Sequence, residues 1–322
     1  MSVIHTGSNE IPKPQIAAAL QEFMGTDEGF VADQVLPMGD SEAQSSYLPV
    51  IKREDALRIQ NTKRAPGSTF ARVNFREKGL TFLCESYGAE SQIPDETRQI
   101  YKTAFDAELV AGQICKSILM REREARVAAA LQNTSTWTGA SLFTDVHGAG
   151  PWSTNSTDVV AQVNAAKQAV QKNCGLRANA LILNTENVDR LLANTTIRAH
   201  FPGAPLITRE MLKANLAAIF GLQYLIEGAA IKNTADEGQS HVGAYVWSGS
   251  YVGVARVVPP NAPLQTPGLG RTMKWSGLMG VGADMNVVMY RESGTKSDVI
   301  QTDWYLDELV LGTAYQHLLQ VV

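Results

Sequence analysis

Residues able to do chemistry are present in this chain, but their spacing assembles none of the familiar sites. Five histidines, His5, His147, His200, His241 and His317, stand too far apart to form a metal-ligand pair, and each reads as a loop or surface residue. Asp303, Asp307 and Glu308 could form paired carboxylates for acid–base work, although the charged end of a segment explains them equally well. Asp236, Glu237 and Gly238 open like a calcium loop whose later ligands are missing, so a solvated turn is the expectation. The string "WSGSYVG" has no serine with glycine two places before and two after it, and the dinucleotide fingerprint fails at Gly268 and Gly270. No Gly-Lys dipeptide occurs, which excludes a phosphate-binding loop of the usual kind. Trp275 beside Lys274 could stack a base, but more often such a tryptophan fills a sheet–helix seam. The expectation is therefore no catalytic residue, no cofactor and no metal.

Composition narrows the classes further. With 322 residues the chain is long enough for two or three packed lobes, and 44% hydrophobic against 19% charged residues describes a globular protein. A formal net charge of -4 argues against tight wrapping of nucleic acid and leaves room for loose contact with it. Cys84, Cys115 and Cys174 form no C-x-x-C and read as reduced thiols of a cytoplasmic protein. The N-terminus lacks a secretory layout, and the most apolar run, residues 214–231, is interrupted by Asn215, Gln223 and Glu227, so no membrane association is expected.

The elements that would position any site come in an unusual order. Residues 1–54 read as an extended arm with one short helix near residues 16–24; Phe30, Val31, Val35, Leu36, Tyr47 and Leu48 need another surface to lie on. Strand-like runs "ALRIQN" and "FARVNFREKGLTFLCESYG" flank the turn cluster "KRAPGS", predicting a long hairpin over residues 55–93. A long helix follows from Asp95 to about residue 132, near 57 Å if continuous, with residues 121–126 as its charged face. Residues 152–264 mix helices and strands without a βαβ rhythm, which predicts an α+β lobe on a mixed sheet. Its first helix is capped by Thr157 or Asp158 and stopped at Gly175. Residues 265–322 supply two or three strands and a final segment, with the long helix as their partner.

In order and spacing, "PWSTNSTDVVAQVNAAKQAVQKNCGLRANALILN", "IFGLQYLIEGAAIKNTADEGQ", "YVWSGSYVGVARVV" and "LGRTMKWSG" resemble the tailed-phage major capsid proteins, the Hong Kong 97-type shell fold shared with encapsulins. The similarity runs from about residue 30 onward. It implies an N-terminal arm (1–54), an extended hairpin loop (55–93), a peripheral domain with a spine helix (94–151), an axial domain (152–264), and return strands of the peripheral domain with a C-terminal segment (265–322). It also implies a shell of pentamers and hexamers that encloses double-stranded DNA as a virion capsid assembled in the host cytoplasm. The assembly residues would be Lys63, Arg64, Pro66 and Gly67 at the hairpin tip and Asn233, Thr234, Asp236 and Glu237 near a symmetry axis. Gly112 would be a flex point of the spine helix, with close packing on the sheet as the equal alternative. No charged helical leader precedes the arm, so a separate scaffolding protein is expected beside a portal, with a decoration protein as an optional partner. Lys63 and Lys78 are read as surface lysines with no crosslinking partner. An encapsulin-like compartment or a soluble hydrolase are the alternatives.

Overall fold

The computed structural model describes residues 29–72, 74, 76–101, 107–201, 208–279 and 285–322. The helix expected near residues 16–24, together with Val73 and Phe75, lies outside them.

Two five-stranded sheets carry the fold. The first is organised by β13 (Ser297–Val310). One edge of β13 pairs with β4 (Glu85–Pro94); the other pairs with β12 (Asn286–Glu292) and then with β11 (Gly270–Trp275), all antiparallel. Strand β1 (Met38–Ser41) adds to β11 in parallel. The long helix Ala107–Leu131 crosses this sheet, burying Leu119 against Trp304 and Leu306, and Ala111 against Ile93 and Ile300. Its 25 described residues span about 37 Å. The helix Asp95–Tyr101 precedes it, and residues 102–106 between the two lie outside the described residues.

The second sheet has the order β5 (Phe143–Asp145), β14 (Gln316–Gln320), β10 (Tyr251–Ala255), β6 (Ala180–Asn184), β7 (Tyr224–Gly228), with parallel outer pairs and antiparallel inner ones. This is the mixed sheet that the sequence implies. Its helices end where local chemistry dictates. Asp158 caps Val159–Cys174 by accepting from the Ala161 amide, Thr208 caps Arg209–Phe220, and Gly175 and Gly221 stop both helices at φ of 76° and 60°. One face of the sheet is sealed by these helices through Val163, Val170, Leu183, Leu216 and Phe220. The other face is sealed by the end of the long helix and by Val31, Val35 and Leu36, which are buried within their own subunit. The final segment thus belongs to this second sheet as β14, and the closing region contributes β11, β12 and β13 before it.

The hairpin also differs from expectation. Strand β2 (Ser45–Ile51) pairs with β3 (Glu77–Leu83), and the strand expected at residues 56–61 is absent; Arg53–Ala56 is a short helix and residues 57–72 carry no ladder. Pro49 is compatible with this two-stranded edge, and the Tyr47 ring lies over Gly79, where a Cβ would come within 2.1 Å of it. At Cys84 the chain passes from this ribbon into β4 of the main sheet.

His317 is likewise not a surface residue. It is buried on β14, where Nδ1–H donates to the Ser141 carbonyl at 3.0 Å and Nε2 accepts from the Thr144 hydroxyl at 2.9 Å. Burial holds its pKa below the ordinary 6.5. An unfolded histidine gains its proton first on acidification, so this group costs stability as pH falls below about 6.5. Thermal melts between pH 7 and 5 should show Tm falling with pH, and His317→Gln should flatten that slope; an unchanged slope would contradict the burial argument.

Candidate assembly surfaces

The sequence-predicted residues fall into two exposed loops, far apart on the chain, and the structure gives each a distinct local reason for its shape. Residues 57–76 contain Arg58, Lys63, Arg64, Arg72 and Arg76 and no carboxylate. Asp55 closes the neck of this loop, accepting from the Arg76 amide at 2.9 Å and from its guanidinium at 3.0 and 2.9 Å. The Arg76 hydrogen bond holds the Asp55 carboxyl below its usual range. At the tip, Pro66 and Gly67 occupy the centre of a turn closed by Ser68 N–H to the Ala65 carbonyl at 3.1 Å, with Gly67 at φ 81°. Lys63 donates its amide to Asn61 Oδ1, and the Arg64 guanidinium sits 4.1 Å over the Phe70 ring. Leu57 lies against Gly175 at the loop's base, but Phe70 is 80% exposed and Ile59 98%, so the loop offers apolar and basic surface to solvent.

The second loop caps the hairpin of β8 (Ile231–Asn233) and β9 (Gly243–Tyr245). Asn233 Oδ1 accepts from the amides of Ala235 and Val242, Thr234 N–H donates to the Val242 carbonyl, and Gly238 turns the chain at φ 82°. Asn233 and Thr234 therefore shape the loop, whereas Asp236 and Glu237 face solvent as a turn with no ion pair among the described residues. The structure does not bring these residues near Lys63 or Arg64. Gly112 is half-buried in the long helix, and a Cβ there would meet only Ile300 Cγ2 at 3.9 Å, an ordinary contact. Packing does not require glycine at this position.

Sequence reasoning missed the most consequential group. Glu124, read as part of a charged face, has 0% exposure and takes backbone N–H bonds from Val31 at 3.0 Å and Ala32 at 2.8 Å, and the Trp247 indole N–H at 2.5 Å. Burial raises its pKa, against the opposing pull of these donors. Its neighbour Arg123, also buried, ion-pairs with Asp33 at 2.7 Å and donates to the Leu36 carbonyl and the Thr272 hydroxyl. Arg126 holds Glu308 through two hydrogen bonds at 2.8 and 3.1 Å and lies 3.7 Å over the Tyr87 ring. Only the local spacing of three arginines and two glutamates hinted that so many charges on one helix needed partners.

The carboxylates first considered for catalysis are separated by their bonds: Asp303 accepts from Asn286, Asp307 from the Leu83 amide, and Glu308 serves Arg126. Trp275 packs edge-on to Tyr305 at 5.3 Å and donates to the Glu42 carbonyl. All three cysteines are buried and free. Among the described residues no cluster of His, Cys, Asp or Glu could hold a metal ion, and no helix is long and apolar enough to cross a membrane.

No protein-family model and no curated protein matches the sequence. Solved structures do match the fold. A phage-related protein from Bordetella bronchiseptica RB50 superposes with a TM-score of 0.68 at 18% identity, over 95% of this chain and 96% of that one. The capsid of cyanophage P-SCSP1u gives 0.53 at 13% identity, over 88% and 86%. The SrpI encapsulin of Synechococcus elongatus PCC 7942 gives 0.51 at 9%, over 92% and 89%. The chain therefore has the Hong Kong 97-type shell fold, in its α+β form.

Replacing Glu124 tests its place in that fold. Glu124→Ala leaves three buried N–H donors without an acceptor and should destabilise the subunit by about 3–5 kcal/mol in denaturant titration. Glu124→Gln keeps one acceptor oxygen and should cost clearly less; equal losses would mean that shape, not hydrogen bonding, matters there.

Proposed function

We propose that this shell-fold chain is a major capsid protein, which self-assembles through pentamers and hexamers into an icosahedral shell around the packaged double-stranded DNA of a tailed phage. The observation that carries the reading is the correspondence of 88% of this chain with 86% of the chain in a cyanophage capsid structure. A lone domain borrowed for another use would match in part. The loop of residues 57–76 supports it further, because a basic projection that leaves Ile59 and Phe70 in water is costly for a monomer and useful between copies.

In this reading the functional division keeps the arm at 1–54, the hairpin loop at 55–93, the peripheral domain at 94–151, the axial domain at 152–264 and the returning strands at 265–322. Strands also work across those limits: β1 and β4 join the peripheral sheet, β2 serves the hairpin, and β5 and β14 join the axial sheet. Lys63, Arg64, Pro66 and Gly67 reach a neighbour, while Asn233, Thr234, Asp236 and Glu237 present the hairpin of β8 and β9 near a symmetry axis. Gly112 gives the long helix compliance, a role supported by the absence of a packing demand for glycine there. A separate scaffolding protein, a portal and an optional decoration protein are the partners, assembly occurs in the host cytoplasm, and a net charge of -4 suits a wall that contains DNA without gripping it.

An encapsulin-like compartment is the second reading, favoured by the shared fold of the Synechococcus encapsulin. Protein cargo in place of nucleic acid inside purified particles would select it. A hydrolase has no such support, whereas the cyanophage and Synechococcus structures above are a capsid and an encapsulin.

Electron microscopy of the purified chain, with its scaffold where one is required, should show hollow icosahedral particles or capsomer rings. Replacing residues 63–68 by a two-residue turn should leave the melting temperature within about 3 °C of wild type, because the loop touches little else, while particle yield collapses. Normal particles from that variant would remove the loop from assembly.

A further inference from the structure

A cleft at the root of the ribbon holds a charge that nothing nearby balances. Strand β2, the turn of residues 262–268 and the adjoining ends of β11 and β13 enclose a cavity of about 520 Å³, inside the roughly 300–1,000 Å³ of small-molecule clefts. Its walls are apolar: Leu48 and Val50 from β2, Leu264 from the turn, Met273 and Leu309 from the sheet, and Tyr315. Among the lining residues a single side chain is charged, that of Arg271.

Arg271 is 4% exposed. Its Nη1 donates to the Ala262 carbonyl at 2.9 Å and its Nη2 to the Pro263 carbonyl, which pins the turn to the sheet. Those bonds use two of the five N–H groups of a guanidinium, and Nε is left buried without an acceptor. They also leave the charge uncompensated, since no carboxylate pairs with Arg271 among the described residues. Asp307 shares this face of the sheet but stands opposite Met273 and accepts from the Leu83 amide. Burial lowers the Arg271 pKa, and no neighbouring charge counters that shift. Anchoring the turn explains two hydrogen bonds; it does not explain a buried cation without an anion, which is costly to maintain.

We infer that this cleft is a binding site for a single-chain carboxylate of the fatty-acid class, its carboxylate held by Arg271 and its alkyl chain laid between β2 and the turn of residues 262–268. Head and tail are both matched. A carboxylate takes the guanidinium's fork of donors with charge assistance, and the apolar walls reward each methylene that leaves water. A peptide would bring backbone N–H and C=O groups that such walls leave unpaired, whereas an alkyl chain brings none. An occupied cleft would brace the ribbon where it leaves the body, because β2 forms one wall and the sheet another. Binding of this kind is independent of the shell reading, since every wall comes from one chain.

Dodecanoate is the probe, titrated below its micelle concentration into the full-length chain and followed by calorimetry and thermal melts. One equivalent should bind per subunit and raise Tm, as a ligand of the folded state does. Dodecanol, with the tail and no charge, and acetate, with the charge and no tail, should each bind at least about tenfold more weakly. Arg271→Met should weaken dodecanoate about tenfold or more, to the level of dodecanol. That variant also loses its hold on Ala262 and Pro263, so Leu264→Asp supplies a second arm. Leu264 is 49% exposed at the rim, and a carboxylate there should leave the unliganded Tm close to wild type while repelling dodecanoate by a similar factor. No saturable binding by wild type, equal affinity for dodecanoate and dodecanol, or unchanged affinity in folded Leu264→Asp would each overturn the assignment.

Discussion

A buried carboxylate organises this subunit. Glu124 lies in the middle of the long helix with no solvent to hydrate it, and only the amides of Val31 and Ala32 and the indole of Trp247 offset the cost of desolvating it. Two of those donors are consecutive amides of the arm and the third comes from the lobe built on the second sheet, while the acceptor is on the long helix. Satisfying one charge therefore fixes the relative placement of three parts of the chain that are distant in sequence. Arg123 extends the junction to Asp33, Leu36 and Thr272, so that the arm is held from both sides and delivered to β11, where β1 begins. What leaves this junction afterwards is the ribbon of β2 and β3, which packs Phe82, Leu80 and Leu48 against Met273 and Leu309, and then the basic loop, where Ile59 and Phe70 stay exposed.

That division separates the two kinds of energy in the molecule. The sheets and their helices bury a continuous apolar interior, including Trp137, Trp152, Trp247 and Trp304, and are self-sufficient. The loop and the exposed strand β12 hold apolar and charged groups that a folded monomer leaves in water. Each contact between copies is modest in such an arrangement, but a closed shell engages many at once, and the loss of one leaves the rest in place. Rigidity at the junction matters here, since a loop presented at a variable angle would pay an ordering cost at each docking event.

Much of the interior was legible from residue pattern. Asp158 and Gly175 bracket a helix, Thr208 and Gly221 bracket another, and the run "ALILN" reads as a buried strand because all five positions are apolar or capping; local chemistry alone decides these. The basic tip was legible for the same reason, through its Pro-Gly turn. What depends on tertiary placement was not. Alternation in "ALRIQN" suggested a strand, yet pairing requires a partner, and Ser45–Ile51 occupies β3 instead. "REREAR" suggested a solvated face because nothing within the helix reveals that amides from residues 31 and 32 will arrive at Glu124. His317 read as surface because its burial follows from β14 joining a sheet begun much earlier in the chain.

Native-state hydrogen exchange at the amides of Val31 and Ala32 tests this organisation most directly. If Glu124 ties the arm into the body, those two amides exchange only through the opening that also exposes Leu181 and Ile182 in β6, with protection of the same order. Protection as low as that of residues 57–72 would mean that the arm merely rests on the surface, and that the junction does not hold the subunit together.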